Sequence, residues 1–352
     1  MTLRRLIYLA LPFVAAVMFL PLAAAPAAPV ADSAVLLIGD GMGPVQVQLA
    51  RTDDEPLTME QFPFSGLATT KPADGPITDS AAGGTALATG CKTNNGMVSV
   101  NPEGRRLETI LERARSMYKA TGIITTDALH GATPASFIAH VDDRGKRAGI
   151  AAQIAAAPAD VMLGFWKGEF LPKSSGGKRE DGRDLIAELE GKGFEVVYTR
   201  DQLLQAKGQK LLGLFDDGPE APSVADMVSA ALARLSANPR GFFLVVEGAR
   251  IDWECHEHQL AAALREVREL DKAVGIAADA ARSRGRTLVV VTADHETGGL
   301  QPDGSFTTSG HTAAPVPVFA LGPGGKRFCG DLDNTDIPKR IAEVLQIGLS
   351  PD

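Results

Sequence analysis

The chain is short of three things, and each shortage removes a class of protein. It has three cysteines in 352 residues, Cys91, Cys255 and Cys329. Three thiols cannot build a disulfide framework; the most they allow is one bridge and one free thiol. Cys255 sits beside candidate ligands as a soft donor or, as expected of most such thiols, a buried structural residue. Basic residues are outnumbered, 35 Lys and Arg against 43 Asp and Glu, for a net charge of −8. That excludes a generic attraction for nucleic acid or anionic lipid. Any anion site must draw its positive field locally, from metal ions and a few basic groups. Finally, no linker, repeat or low-complexity tract divides the body of the chain. The length would allow two domains, but one domain over residues 28–352 is the expectation.

The N-terminus has a different character. Arg4 and Arg5 precede an uncharged stretch from Leu6 to Ala31, and small residues surround Ala25-Pro26-Ala27. A basic start, an apolar middle and an A-x-A-like exit are the layout of a secretory signal covering residues 1–27. The expected destination is periplasmic or extracellular. A retained membrane anchor is the alternative, because the run is nearly long enough to span a bilayer. Pro12 and Pro21 would interrupt such a helix. Cleavage removes Arg4 and Arg5 and takes the net charge from −8 to −10.

Along the rest of the chain, apolar β-branched runs alternate with helical patterns. Strands are expected at Ala34 to Ile38, Gly122 to Thr126, Phe194 to Tyr198, Gly241 to Val246, Thr287 to Thr292 and Val316 to Leu321. Helices are expected at Arg106 to Lys119, Asp184 to Lys192, from Ser223 as N-cap, at His258 to Arg284 and at Asp336 to Ile347. Leu163 to Gly182, rich in Gly, Lys and Ser, reads as a surface excursion near the site. This alternation predicts an α/β fold, a mostly parallel central sheet with helices on both faces. In such sheets ligands bind beyond the carboxyl ends of the strands. Asp40, Glu247, Asp294 and His295 each directly follow an apolar strand, which places them at one shared site.

Those positions carry metal chemistry. Asp252 and His256 are four apart, so one helical turn puts them on one face. With His311 they make an Asp/His/His set that leaves an open coordination position, as catalytic zinc requires; the same spacing also suits an exposed helix pair. Asp294 and His295 can both reach one ion if the chain turns there, and Asp40 would complete a second site. Asp40 is equally suited to cap a helix, while Gly41 and Gly43 permit a tight turn. Ser80 precedes AAGGTALA, a helix whose free N–H groups would stabilise an alkoxide or a phosphate. A serine there is most often a simple N-cap, but one that faces two metals becomes a nucleophile. Thr133 and Glu247 are oxygen donors suited to a hard ion such as Mg²⁺. Arg144 offers a planar fork for phosphate oxygens or a salt bridge with Asp142 or Asp143. His140 reads as structural and His258 as a surface or supporting residue.

These segments resemble the alkaline phosphatase family. The resemblance rests on IGDGMG at Asp40, TDSAAGGTALATG at Asp79 and Ser80, ATPAS at Thr133, AHVDDR at Arg144, VEGARIDWECHEH from Glu247 to His258, VTADHETGG at Asp294 and His295, and SGHT at His311. It runs in order from about Val35 to beyond His311. It implies an alkaline-phosphatase-like fold, hydrolysis of small-molecule phosphate monoesters through a phosphoserine, and three ions, two Zn²⁺ and one Mg²⁺. Asp252, His256 and His311 resemble the ligands of the first zinc. Asp40, Asp294 and His295 resemble those of the second, where Ser80 is the nucleophile. Asp40, Thr133 and Glu247 resemble the magnesium site, and Arg144 the phosphate clamp. A homodimer is one assembly this implies. A related phosphodiesterase or sulfatase, or a non-catalytic exported phosphate- or metal-binding protein, are the alternatives. Two positions depart from the pattern. Gly131, beside His130, stands where relatives often carry Asp or His. Trp253 stands where some carry Lys or His, so phosphate is expected to be held less tightly.

Overall fold

A computed structural model describes residues 30–52 and 55–349. The expected leader, residues 1–27, lies outside the described residues. Among them, no helix is long and apolar enough to cross a membrane.

Among the described residues, ten of the twelve strands form one sheet. They are β1 (Ser33–Gly39), β2 (Phe64–Thr69), β3 (Ala120–Ala128), β4 (Val161–Phe165), β5 (Glu195–Val197), β6 (Leu211–Phe215), β7 (Phe242–Gly248), β8 (Thr287–Thr292), β11 (Val316–Leu321) and β12 (Gly330–Asp333). The remaining two, β9 (Glu296–Thr297) and β10 (His311–Thr312), pair as a short antiparallel ribbon. The sheet order is β12-β2-β11-β8-β1-β7-β3-β4-β6-β5. Only β11 opposes its neighbours, β2 and β8. The rest run one way, as the α/β expectation requires.

The central strands are apolar on both faces because helices cover both. β1, β7 and β8 are buried along their whole length. That is why they read as continuous Val, Leu and Ile runs rather than as alternating patterns. Their register aligns the carboxyl ends. Ile38 of β1 lies opposite Glu247 of β7 and Thr292 of β8. Thr125 of β3 lies opposite Glu247 from the other side. Asp40, Glu247 and Asp294 therefore meet at one edge of the sheet.

Several expectations need correction. The helix expected at Arg106 to Lys119 spans only Ile110–Ser116. Thr109 stops it from starting earlier: its hydroxyl accepts from Glu112 N at 3.1 Å, while the Glu112 carboxylate accepts from Thr109 N. The long helix begins at Leu260, after a separate turn of helix at Arg250–His256. His258, at φ 53°, forms the break. The surface excursion begins three residues late, because Leu163 to Phe165 are buried in β4. The strands β2, β6 and β12 and the helix Arg147–Ala156 went unseen. β6 is short and β2 is half-exposed, so their patterns are weak.

Candidate active site

Ser80 is the first residue of the helix Ser80–Thr89, and it is not the cap. That role belongs to Asp79, whose Oδ1 accepts from Ala82 N at 2.9 Å. The serine is thus released from capping, and its Oγ lies 3.3 Å from His295 Nε2. Asp40 does not cap a helix either. The helix Pro44–Leu49 is capped at Gly43 without any side-chain bond. Gly41 makes the turn after β1 at φ +73°, and a Cβ there would lie 2.8 Å from Thr297 Oγ1 and 2.9 Å from Asp252 Cα. Only glycine lets the backbone approach the acidic cluster this closely.

Two groups of potential ligands overlap at one imidazole. Asp40, Asp294 and His295 offer atoms within 4.8 Å of one another, as do Asp252, His295 and His311. His256 joins the second group: its Nε2 lies 3.2 Å from Asp252 Oδ2 and 3.2 Å from His311 Nε2. Each histidine turns its Nε2 inward because its Nδ1 is tied elsewhere. His256 Nδ1 meets Ser309 O at 2.5 Å, His311 Nδ1 meets Thr78 O at 2.8 Å, and His295 Nδ1 meets Thr297 Oγ1 at 3.2 Å. Such outer contacts fix tautomer and ring orientation in metal sites. Thr297 also bonds Asp252 Oδ1. Sequence reasoning missed Thr297, although it stands two residues beyond His295 on the same strand-end turn.

The electrostatics call for cations. Asp40 Oδ1, Asp294 Oδ2 and Thr133 Oγ1 are buried without a hydrogen-bond partner. Burial, and then the charge of Asp127, push the Glu247 carboxyl up to about 8. Burial, and then Asp252, push Asp294 up to about 7. Burial and the Asp294 charge raise Asp40 well above the ordinary carboxylate range. Burial opposes ionisation of Asp252 too, but its bond to His256 and neighbouring imidazoles outweigh it and hold Asp252 at about 2. That same bond lifts His256 to about 9, whereas burial keeps His295 neutral down to about 4. Buried carboxylates of one sign are stable as anions only with compensating charge. Orphaned oxygens, inward imidazoles and crowded acids together fit metal ions. Cys255 does not belong to this set: burial raises its thiol to about 12, and its Sγ is 3.9 Å from Gln46 Nε2. Cys255 and Cys329 are free thiols.

The third group is oxygen only. Thr133 lies in the helix Ala132–Ala135, capped by Gly131, and Glu247 accepts from Thr125 Oγ1. Arg144 Nη1 contacts Asp79 Oδ2 at 3.1 Å, not Asp142 or Asp143. Asp142 is taken by Lys146. Arg144 is largely exposed and borders a cavity of about 440 Å³ with Asp127, His130, Gly131, Arg147 and Trp166. This cavity is walled by the excursion after β4. Trp253 stacks on Trp166, centroids 5.8 Å apart and planes 16° apart, with Arg250 over its ring. His140 is structural as expected, between Ser99 O and Glu112. His258 stacks on Phe306 and meets Thr308 O at 2.9 Å, pinning the loop that presents His311.

Comparison with known proteins gives one answer. The family described as "Alkaline phosphatase" matches residues 31–307. The chain is 31% identical to alkaline phosphatase 4 of Bacillus subtilis, over 89% of this chain and 88% of that one. It is also 31% identical to the Escherichia coli alkaline phosphatase, over 87% and 84% of the two chains. The solved alkaline phosphatase of the Antarctic bacterium TAB5 superposes with a TM-score of 0.82 at 30% identity, covering 91% of this chain and 99% of that one.

Proposed function

The chain belongs to the alkaline phosphatase family of metal-dependent phosphomonoesterases, and on that premise we propose that it works through a phosphoserine on Ser80. The observation that carries this is the 3.3 Å approach of Ser80 Oγ to His295 Nε2, beside Asp40 Oδ1 and Asp294 Oδ2, two buried carboxylate oxygens without a hydrogen-bond partner. We assign two Zn²⁺, one to Asp252, His256 and His311 and one to Asp40, Asp294 and His295, and one Mg²⁺ to Asp40, Thr133 and Glu247. Mixed imidazole and carboxylate donors suit zinc, and an all-oxygen set suits magnesium. When bound, such cations lower the pKa of a neighbouring hydroxyl and neutralise charge on attacking and leaving oxygens.

The residues divide the remaining work. Ser80 Oγ, giving up its hydroxyl proton, attacks phosphorus in line, the bond to the leaving oxygen breaks with its electron pair, and that oxygen takes up a proton to depart as the alcohol. The start of the helix Ser80–Thr89 directs its partial positive charge at the phosphoryl group. Arg144, held by Asp79, extends from the exposed side to clamp non-bridging oxygens. Asp79 thus fixes both the helix start and the arginine. Water then attacks the phosphoserine, releasing phosphate and restoring the serine hydroxyl.

A doubly charged monoester suits this set better than a diester, because Arg144 and the third ion both add charge near non-bridging oxygens. The test uses acid-quenched enzyme with a labelled phosphate monoester. Label should appear on Ser80 and vanish in Ser80→Ala, which keeps its metals. Label on another residue, or near-full turnover by the variant, would overturn the assignment. Residues 1–27 are proposed as a cleaved export signal, with the mature chain beginning near Ala28. Mass spectrometry of the N-terminus decides it, and an intact Met1 in a membrane fraction would favour an anchor.

A further inference from the structure

The cavity of about 440 Å³ beside Arg144 is lined by side chains that the phosphoryl chemistry does not use. Among the described residues, the side chains of Arg147, Lys178 and Glu169 make no hydrogen bond or ion pair. Glu169 is only 9% exposed, and His130 Nδ1 is buried without a partner. Burial, and then the charges of Arg147 and Lys178, bring His130 down to about 4, so at neutral pH it is an uncharged donor and acceptor. Buried polar groups are nearly always satisfied, by protein or by a bound molecule. Several left open around one cavity therefore mark a place for a ligand.

The wall of this cavity is held in place deliberately. It belongs to the excursion after β4, which Trp166 opens. Trp166 has φ 55°, a left-handed conformation uncommon for a bulky side chain. Three contacts fix it: its N donates to Phe215 O at 2.9 Å, its Nε1 donates to Asp217 Oδ2 at 3.2 Å, and its ring stacks on Trp253, next to Asp252. Such backbone strain persists where the surroundings impose it, and it gathers at ligand sites. Arg179, 3% exposed, then ties the excursion to the helix Arg147–Ala156. Its Nη1 donates to Glu169 O at 3.1 Å and to Ala148 O at 2.9 Å. Glu169 and Lys178 on the excursion thus share one cavity with Arg147 at the helix start.

Arg144 and Trp166 both border the cavity, so it runs from the phosphate clamp to an indole. Beyond Arg144, its charged lining sets Arg147 and Lys178 against Asp127 and Glu169, which leaves no net charge to select a second anion. What it offers is donors, acceptors and an aromatic surface, the combination that suits a ring bearing hydroxyl groups. Its volume is in the ordinary range for small-molecule sites. We propose that this cavity is the leaving-group subsite and takes the sugar part of a sugar phosphate, with Glu169 accepting from its hydroxyls, Arg147 and Lys178 donating to them, and Trp166 as the apolar wall. The inference rests on the reading of the chain as a phosphomonoesterase with Arg144 as the clamp.

Glucose 6-phosphate and cyclohexylmethyl phosphate test it, because both are primary esters carrying a six-membered ring and only the first has hydroxyls. The metal-loaded parent should favour the sugar ester in kcat/KM by about 10-fold or more, since a site built to bond hydroxyls rejects a ligand that lacks them. Glu169→Gln and Lys178→Ala should each lower kcat/KM for the sugar ester, mainly through KM, and should shrink that preference by about threefold or more. Glu169→Gln should melt no lower than the parent, because the carboxylate has no partner to lose. Equal kcat/KM for the two esters in the parent, or a preference that neither variant reduces, would overturn the subsite while leaving the phosphatase reading intact. So would Glu169→Gln melting well below the parent, which would make that carboxylate structural. Turnover of neither ester would overturn the subsite together with the phosphomonoesterase reading beneath it.

Discussion

Metal loading should release protons, and the number should fall steeply with pH. In the metal-free protein Glu247 is pushed up to about 8, Asp294 up to about 7 and His256 up to about 9. Each must lose its proton to bind a cation. At pH 6 all three are almost fully protonated, so filling the sites should expel about three protons per chain. By pH 9 the two carboxyls are ionised and His256 is half-neutral, so these groups should release only about half a proton. Asp40 is raised as well and adds to the count at the acid end.

The same groups set the stability of the metal-free protein, and the sign is definite. A carboxyl raised in the folded state keeps its proton where the unfolded chain has lost it. Its contribution is therefore lost as pH rises from the ordinary carboxylate range through the folded pKa. For Glu247 alone, raising the pH from 6 to its folded value of about 8 should cost about 2 kcal/mol. That is somewhat less than two full pH units at about 1.36 kcal/mol each, because the group is already half ionised at the end. His256 acts in the same direction, its contribution complete below its ordinary value of 6.5 and lost through about 9. Titration calorimetry of zinc and magnesium into chelator-stripped protein, in buffers of differing ionisation enthalpy, counts the protons. Scanning calorimetry of stripped protein gives the stability. Fewer than one proton at pH 6, a count independent of pH, or a metal-free melting temperature that rises from pH 6 to 8 would refute the reasoning.

Three further outcomes are expected. Arg144→Ala should lower kcat/KM by on the order of 10- to 100-fold, the cost of losing charge-assisted bonds to phosphate, with metal content intact; steady-state kinetics with elemental analysis checks it, and an unchanged kcat/KM removes Arg144 from substrate binding. Chelation should abolish activity, zinc should restore it and magnesium should add to it; full activity in a sample shown by elemental analysis to be stripped contradicts this. Gly41→Ala should reduce zinc content and melting temperature, because its Cβ would press on Thr297 and Asp252 at φ +73°, whereas Gly75→Ala, with nothing within 4 Å, should change neither. Equal behaviour of the two variants would mean that the turn after β1 does not govern the site.

The sequence by itself determined the central sheet and the residues gathered at its edge. β1, β7 and β8 are long apolar runs because both faces are covered, so they are the easiest strands to read. Each delivers its acid just past or near its end, at Asp40, Glu247 and Asp294. Spacing along one helix likewise revealed Asp252 and His256. Strands such as β2 and β6 were missed because short or half-exposed segments carry little periodicity.

What tertiary structure decided is what depends on contacts between distant segments. Asp79, not Ser80, caps the helix and also holds Arg144, a pairing across 65 positions. Thr78, Ser309 and Thr297 orient three histidines through contacts that have no local pattern. His295 faces both ligand groups only because β9 pairs with β10 and stacks its ring 3.6 Å from that of His311. Arg147, Glu169 and Lys178 are scattered in sequence; they line one cavity because Arg179 ties the excursion after β4 to the helix Arg147–Ala156. Local propensity and burial are written along the chain, whereas the filling of a site depends on which side chains arrive there, and that is fixed only when the sheet closes.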